Sequence, residues 1–227
     1  MSTWQRARRN AGFSAGFSRV IDWLIMRNFA ALRVRTGITL PMSGGYIGVA
    51  NHHAWWDGFA ALVAHRRSDP TRRFAIMMSD RELRRFPYFR MAGAFSVDAT
   101  SVRTARDAIL YAAEEAASGT GVWILPDGIL RPPQSPLAFT SGFVHAARRA
   151  DVPIIPLAVR YLFLGRRQPE MLLAIGDPID PRDKVAQERT QRAVEQLLKT
   201  IDDDCVADRL DAAYAIVLGH RSKKSLR

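Results

Sequence analysis

The chain reads as an α/β domain, a mostly parallel sheet flanked by helices, on three observations. Short apolar runs of strand length alternate with stretches of helical period, the pattern that lays helices over parallel strands. A length of 227 residues suits one large domain able to bury a sizeable core. Composition is ordinary for a globular protein, 48% apolar and 24% charged, with no internal repeat or low-complexity tract, so disorder is expected only at the ends.

The elements follow in order. Arg6 to Arg35 mixes Phe13, Phe17, Val20, Ile21, Trp23, Leu24, Ile25, Phe29 and Leu32 with Arg8, Arg9, Arg19, Asp22, Arg27 and Arg33, and predicts an N-terminal amphipathic helical segment. A membrane span needs about 20 mostly apolar residues, and Arg19, Asp22 and Arg27 interrupt this one. Two fates stay open for it: lying in a membrane interface with Trp23 and the phenylalanines dipping into the acyl boundary, or packing on the protein's own core.

Ile47 to Ala50 predicts a buried strand and Asn51 to Ala54 a turn, with Trp56 or Asp57 opening a helix through Phe59, Leu62 and Val63. Arg73 to Met78 reads as a strand, Arg81 to Met91 as an arginine-rich helix or loop broken at Pro87, and Ala94 to Val97 as a strand. Ala105, Ala108, Ile109 and Ala112 recur at helical spacing within Ser101 to Ser118, and Gly119 stops that helix. Gly121 to Leu125 is a buried strand, Pro126 to Pro136 a proline-rich loop, and Gly142 to Ala150 a helix. Ile154 to Phe163 and Met171 to Ile175 predict two more strands, and Arg189 to Leu218 is expected to be largely helical.

A net charge of +11 points to an anionic partner: nucleic acid, an anionic membrane surface or a phosphorylated substrate. The basic residues occur as scattered pairs, such as Arg66-Arg67 and Arg166-Arg167, plus a basic tail at 221–227. Without zinc-finger spacing, an aromatic RNA-binding signature or a helix-turn-helix, nucleic acid is not expected as a partner. The single cysteine, Cys205, sits beside Asp202, Asp203 and Asp204, where negative charge raises a thiol pKa, so neither a disulfide nor a catalytic thiol is expected. One cysteine is compatible with a reducing cytoplasm, and the first apolar stretch is too broken by charge for a secretory leader.

Chemistry concentrates at Asn51 to Phe59. His52 and Asp57, with four residues between them, are a candidate dyad: a neutral imidazole can take a proton from a hydroxyl if a carboxylate on its other nitrogen fixes tautomer and orientation. Residues five apart on one helix lie roughly 140° apart around the axis, so the pair requires a turn between strand and helix. Alternatives stay open at this level. Asp57 can cap the first helical turn, the histidines can be ordinary loop residues, or His52, His53 and Asp57 can hold a metal. A different enzyme class is suggested by Gly12-Phe-Ser-Ala-Gly16, a match to the Gly-x-Ser-x-Gly elbow of serine hydrolases, but Ser14 follows Arg6, Arg8 and Arg9 where an elbow needs a buried strand.

Three strings in order, Asn51-His52 with Asp57-Gly58-Phe59, then Trp123-Ile-Leu-Pro-Asp-Gly-Ile-Leu-Arg131, then Val152-Pro-Ile-Ile-Pro156, resemble the blocks of the phospholipid and glycerol acyltransferase family, the lysophospholipid acyltransferase superfamily. The resemblance covers about Ile47 to Pro156 and implies a glycerolipid acyltransferase-like fold. It implies transfer of a fatty acyl group from acyl-CoA or acyl-carrier protein, as co-substrate and with no cofactor or metal, to an acceptor hydroxyl, with His52 as general base and Asp57 orienting it. Asp127, Gly128, Arg131 and Arg103 are then the expected acceptor-binding residues, and Trp55 and Trp56 an apolar substrate wall. Two arginines of the family pattern are out of register: Ala99 follows Asp98, and Ile129 and Leu130 separate Gly128 from Arg131. Since the planar guanidinium fork that grips a phosphate has no alanine or leucine substitute, a lipid or glycolipid acceptor without glycerol phosphate is expected. The alternatives are a lysophosphatidic acid or lysophospholipid acyltransferase with shifted arginines, and an inactive peripheral membrane-binding protein of the same fold. The expected organisation is a membrane-associating segment at 1–36, an acyltransferase domain at 37–220 and the basic tail, peripheral on the cytoplasmic side of a membrane surface.

Overall fold

The structure, a computed structural model, describes residues 4–37, 40–41 and 43–219. The tail at 221–227 lies outside the described residues. The strands are β1 (Ala31–Arg35), β2 (Tyr46–Ala50), β3 (Phe74–Ser79), β4 (Ala94–Val97), β5 (Gly121–Ile124), β6 (Ile154–Leu162), β7 (Glu170–Ile175) and β8 (Tyr214–Gly219). They form one sheet in the order β4-β3-β5-β2-β6-β7-β1-β8. From β4 to β6 every pairing is parallel, while β7 runs antiparallel to β6 and β8 antiparallel to β1.

Both faces of the sheet are covered, as a mostly parallel sheet requires. One face carries α4 (Val102–Ala117), α5 (Gly142–Ala150) and α6 (Ala186–Val206), and the other α1 (Ala11–Asn28), α2 (Asp57–Ser68) and α3 (Asp80–Arg85). Strand alternation sorts the side chains: Ile47, Val49, Val122 and Ile124 join the first layer, and Tyr46, Ala50, Trp123, Leu157 and Val159 the second. Trp123 lies over Gly48, where a Cβ would stand 2.5 Å from the indole, so a glycine is needed at the centre of β2. The extended residues before α1 cover the free edge of β4, with Gln5 and Ser96 exchanging hydrogen bonds at 2.7 and 2.9 Å.

Two expected helices give way to strands. The helix expected up to Arg35 ends at Asn28, and Ala31–Arg35 enters the sheet between β7 and β8. Its arginines mask the alternation, because Arg33 points inward and is compensated there by Glu170 at 2.5 Å and Asp211 at 2.7 Å. At the other end, α6 stops at Val206 and Asp208 adopts a left-handed backbone (φ 53°). After the four-residue helix α7 (Leu210–Ala213), the chain returns as edge strand β8. The Pro87 break is a 3-10 turn, Pro87–Ala92.

Candidate active site

The site lies beyond the carboxyl ends of the parallel strands, where α/β sheets open into a crevice. Strand β2 ends at Ala50, and the next side chain, Asn51, is fully buried. Its amide oxygen accepts from the Val159 N–H at 2.9 Å while Nδ2 donates to the Val159 carbonyl at 3.0 Å, so a side chain continues the β2–β6 ladder for one more rung. That clamp sets where the following turn begins.

Asp57, the first residue of α2, is also fully buried. The capping role considered for it is not what the structure shows: its side chain reaches backward, and Oδ2 accepts from the backbone N–H groups of His53 (2.7 Å) and Ala54 (2.8 Å). The same oxygen receives His52 Nδ1 at 3.0 Å. An ionised carboxylate only accepts, so Nδ1 carries the imidazole proton and the neutral ring keeps its lone pair on Nε2. The His52 side chain is 25% exposed, leaving the ring accessible. A hydroxyl brought to Nε2 could lose its proton there, the chemistry expected of a His–Asp pair.

Three further side chains at the dyad carry no short-range signal in the sequence. Tyr161, on the part of β6 that overshoots β2, donates its hydroxyl to Asp57 Oδ1 at 2.5 Å. Phe29, just past α1, packs against Trp56 (ring centroids 5.1 Å) and Tyr161 (5.7 Å). Arg160 binds Asp202 at 2.6 and 3.0 Å and the Pro133 carbonyl at 3.2 Å, tying the proline-rich loop to β6 and α6. Their sequence distance from the dyad hides all three. The overshoot of a nine-residue β6 past a five-residue β2 is the signal that could have found Tyr161.

The proline-rich loop returns Arg131 to the dyad. Its backbone N–H donates to the His52 carbonyl at 2.9 Å, and Nε donates to Asp127 Oδ1 at 3.0 Å. Asp127 also accepts from the Ala138 N–H at 2.9 Å, so the buried carboxylate braces both ends of the loop, and Gly128 takes the left-handed conformation (φ 67°) that the turn demands. Arg103 is not part of this cluster: it is exposed in the first turn of α4, after β4, three strand positions from β2. Trp55 is exposed at 47%, whereas Trp56 is half-buried against Phe29, so the expected aromatic wall divides into one open and one packed ring.

His53 points to a different role from His52. Its Nδ1 faces Asn51 Nδ2 at 3.2 Å, and since that amide nitrogen is a donor, Nδ1 accepts and the ring proton sits on Nε2. Burial lowers its pKa first, with Asp57 and Asp127 opposing, and the ring stays neutral. Among the described residues, no group of three or more His, Cys, Asp or Glu side chains is placed to hold a metal ion. Ser14 lies inside α1 and donates to the Met91 carbonyl, so the elbow geometry is absent there. Cys205 in α6 has its thiol pushed up by burial and then by Asp202.

An open, mostly parallel sheet with a buried, multiply bonded carboxylate holding an imidazole at its carboxyl edge defines an α/β protein equipped with a His–Asp pair. The chain belongs to the Acyltransferase family, whose model matches residues 31–160, from β1 through the dyad and the Asp127 loop to Arg160. The fold is similar to that of a 1-acyl-sn-glycerophosphate (LPA) acyltransferase, PlsC, from Thermotoga maritima. That likeness has a TM-score of 0.59 at 22% identity over 86% of this chain and 79% of the other. No curated protein sequence matches the chain.

Proposed function

We propose that the protein moves a fatty acyl group from a thioester, acyl-CoA or acyl-carrier protein, to a hydroxyl of a lipid or glycolipid held at a membrane surface. The observation that carries this reading is the His52–Asp57 pair with Asp57 buried and bonded on both oxygens. His52 Nε2 takes the proton as the acceptor oxygen bonds to the thioester carbonyl carbon. The resulting tetrahedral species breaks its C–S bond, and the departing thiolate recovers the proton from His52. No acyl-enzyme and no resident cofactor enter this sequence.

A membrane source for the acceptor is supported by what surrounds the site. Helix α1 buries Ile21 and Ile25 in the core yet exposes Val20, Trp23 and Met26 on a second stripe. Ile129 and Leu130 on the proline-rich loop, Trp55 beside the dyad, and Phe163 beyond β6 are exposed as well. Arg166 and Arg167 line a cavity of about 280 Å³ with Met26 and Phe29. Apolar groups bordered by arginines suit the interface of an anionic bilayer. Among the described residues no helix is long and apolar enough to cross a membrane. The exposed apolar groups with arginines beside them support reading the protein as peripheral, on the anionic cytoplasmic face of a membrane.

A lysophosphatidate-type acceptor is the second reading, favoured by Arg131, whose backbone is tied to His52. Its guanidinium is engaged by Asp127, and Arg160 is committed to Asp202, so a free pair of arginines is lacking among the described residues of this cluster. The test is thiol release from acyl-CoA and acyl-carrier protein with a panel of glycolipids, lysophospholipids and lysophosphatidate. Turnover that disappears in His52→Ala supports the reading, preference within the panel chooses the acceptor, and no turnover across the panel leaves the fold as a binding module.

A further inference from the structure

We infer that Tyr161 is a positioning residue for the dyad: its hydroxyl holds the outer oxygen of Asp57 and thereby sets how strongly His52 binds a proton. The inference rests on the proposed role of His52 as a base, but its geometry stands independently. A carboxylate with no exposed surface must have its charge met by donors. Oδ2 is served by His52 Nδ1 and two backbone N–H groups, and among the described residues the donor to Oδ1 is the Tyr161 hydroxyl at 2.5 Å. Tyr161 reaches that oxygen because β6 runs on to Leu162, past the end of β2 at Ala50, whose register partner is Leu157. Phe29 packs on the tyrosine ring and holds it in place.

The hydroxyl is a donor at every working pH, since burial first, then the charge of Asp57 and the hydrogen bond to it, push the phenol well above its ordinary range. A donor on Oδ1 spreads the carboxylate charge and weakens its pull on the imidazolium, so the bond makes His52 easier to keep neutral. Other groups also face the dyad: His53 from the same turn, Asp127 and Arg131 from the proline-rich loop, and Arg160 from β6. All of them stay in place when only one phenol oxygen is removed.

Tyr161→Phe retains the ring and its packing and deletes only the donor. The acid limb of the kcat/KM profile, which reports neutral His52, is expected to move to higher pH by about half a unit to one unit. kcat should fall roughly 3- to 10-fold at neutral pH, with KM and the melting temperature little changed. Placing 3-fluorotyrosine at position 161, a stronger donor, should move the limb the other way. The same two shifts are read without turnover by following the His52 imidazole by NMR titration. A protein that never releases thiol would therefore defeat the proposed function while leaving the Tyr161 inference to be decided by the titration. Superimposable His52 titrations for wild type, Tyr161→Phe and the fluorotyrosine protein would overturn the inference.

Discussion

Replacing Asp57 separates its structural duty from its chemical one. In Asp57→Ala the His53 and Ala54 N–H groups and the Tyr161 hydroxyl all lose their acceptor. An orphaned donor costs about 1–3 kcal/mol, and all three here are only partly buried, so the loss is about 3–6 kcal/mol. Against a total stability of about 5–15 kcal/mol that is severe. At about 2–4 °C per kcal/mol for a domain of this size, the melting temperature should drop by roughly 10–20 °C. Asp57→Asn keeps an oxygen for the backbone donors and should melt within a few degrees of wild type, while the loss of charge behind His52 lowers kcat by about 100-fold or more. Thermal melts and thiol release on the same preparations read both quantities. An Asp57→Ala protein that melts with wild type would show that these donors do not depend on the carboxylate, and an Asp57→Asn protein at full turnover that His52 does not need its charge.

Four other outcomes follow from particular contacts. Asn51→Leu strands the Val159 N–H and carbonyl, so it should cost about 2–4 kcal/mol in urea unfolding; no loss would mean the amide clamp does not hold β2 to β6. Gly48→Ala drives a Cβ to 2.5 Å from Trp123 and should lower the melting temperature, with partial recovery in a Trp123→Leu background and none if the strain lies elsewhere. His65 is kept neutral by burial, accepting from Tyr46 at 2.6 Å and donating to the Arg72 carbonyl at 3.0 Å. Its folded pKa is lowered, so the unfolded chain binds the proton more tightly and stability declines as pH falls below about 6.5. Urea midpoints at pH 7.5 and 5.5 should differ in that sense, and a flat profile counts against it. Trp23→Ser with Met26→Ser should weaken sedimentation with anionic vesicles at least several-fold while leaving turnover of a detergent-dispersed acceptor near wild type; unchanged sedimentation places the membrane contact elsewhere.

The strands and helices around the dyad were legible because each is written locally. Ala94–Val97 and Gly142–Ala150 fall at the expected bounds, and the turn between β2 and α2 follows from the spacing of His52 and Asp57. What stayed hidden was written across the chain. β1 looks helical because Arg33 interrupts its apolar pattern, and its burial makes sense only beside Glu170 and Asp211. The dyad's support was hidden for the same reason: Asn51 acts on Val159, and Asp57 is met by Tyr161, partners more than 100 residues away. Of the acceptor residues expected from the family pattern, Asp127, Gly128 and Arg131 form one braced loop beside His52, while Arg103 stands apart. A motif fixes which residues occur, and only the packed loop decides which of them meet.

Whether His52 deprotonates an acceptor hydroxyl for direct acyl transfer is decided by following a labelled acyl chain from its thioester. Label should be recovered as an ester on the lipid acceptor with wild-type protein, with none in His52→Ala protein of unchanged melting temperature, and no label covalently held by the protein in either. Transfer at the wild-type rate by His52→Ala, or a labelled acyl-protein that passes its chain to the acceptor, would contradict it.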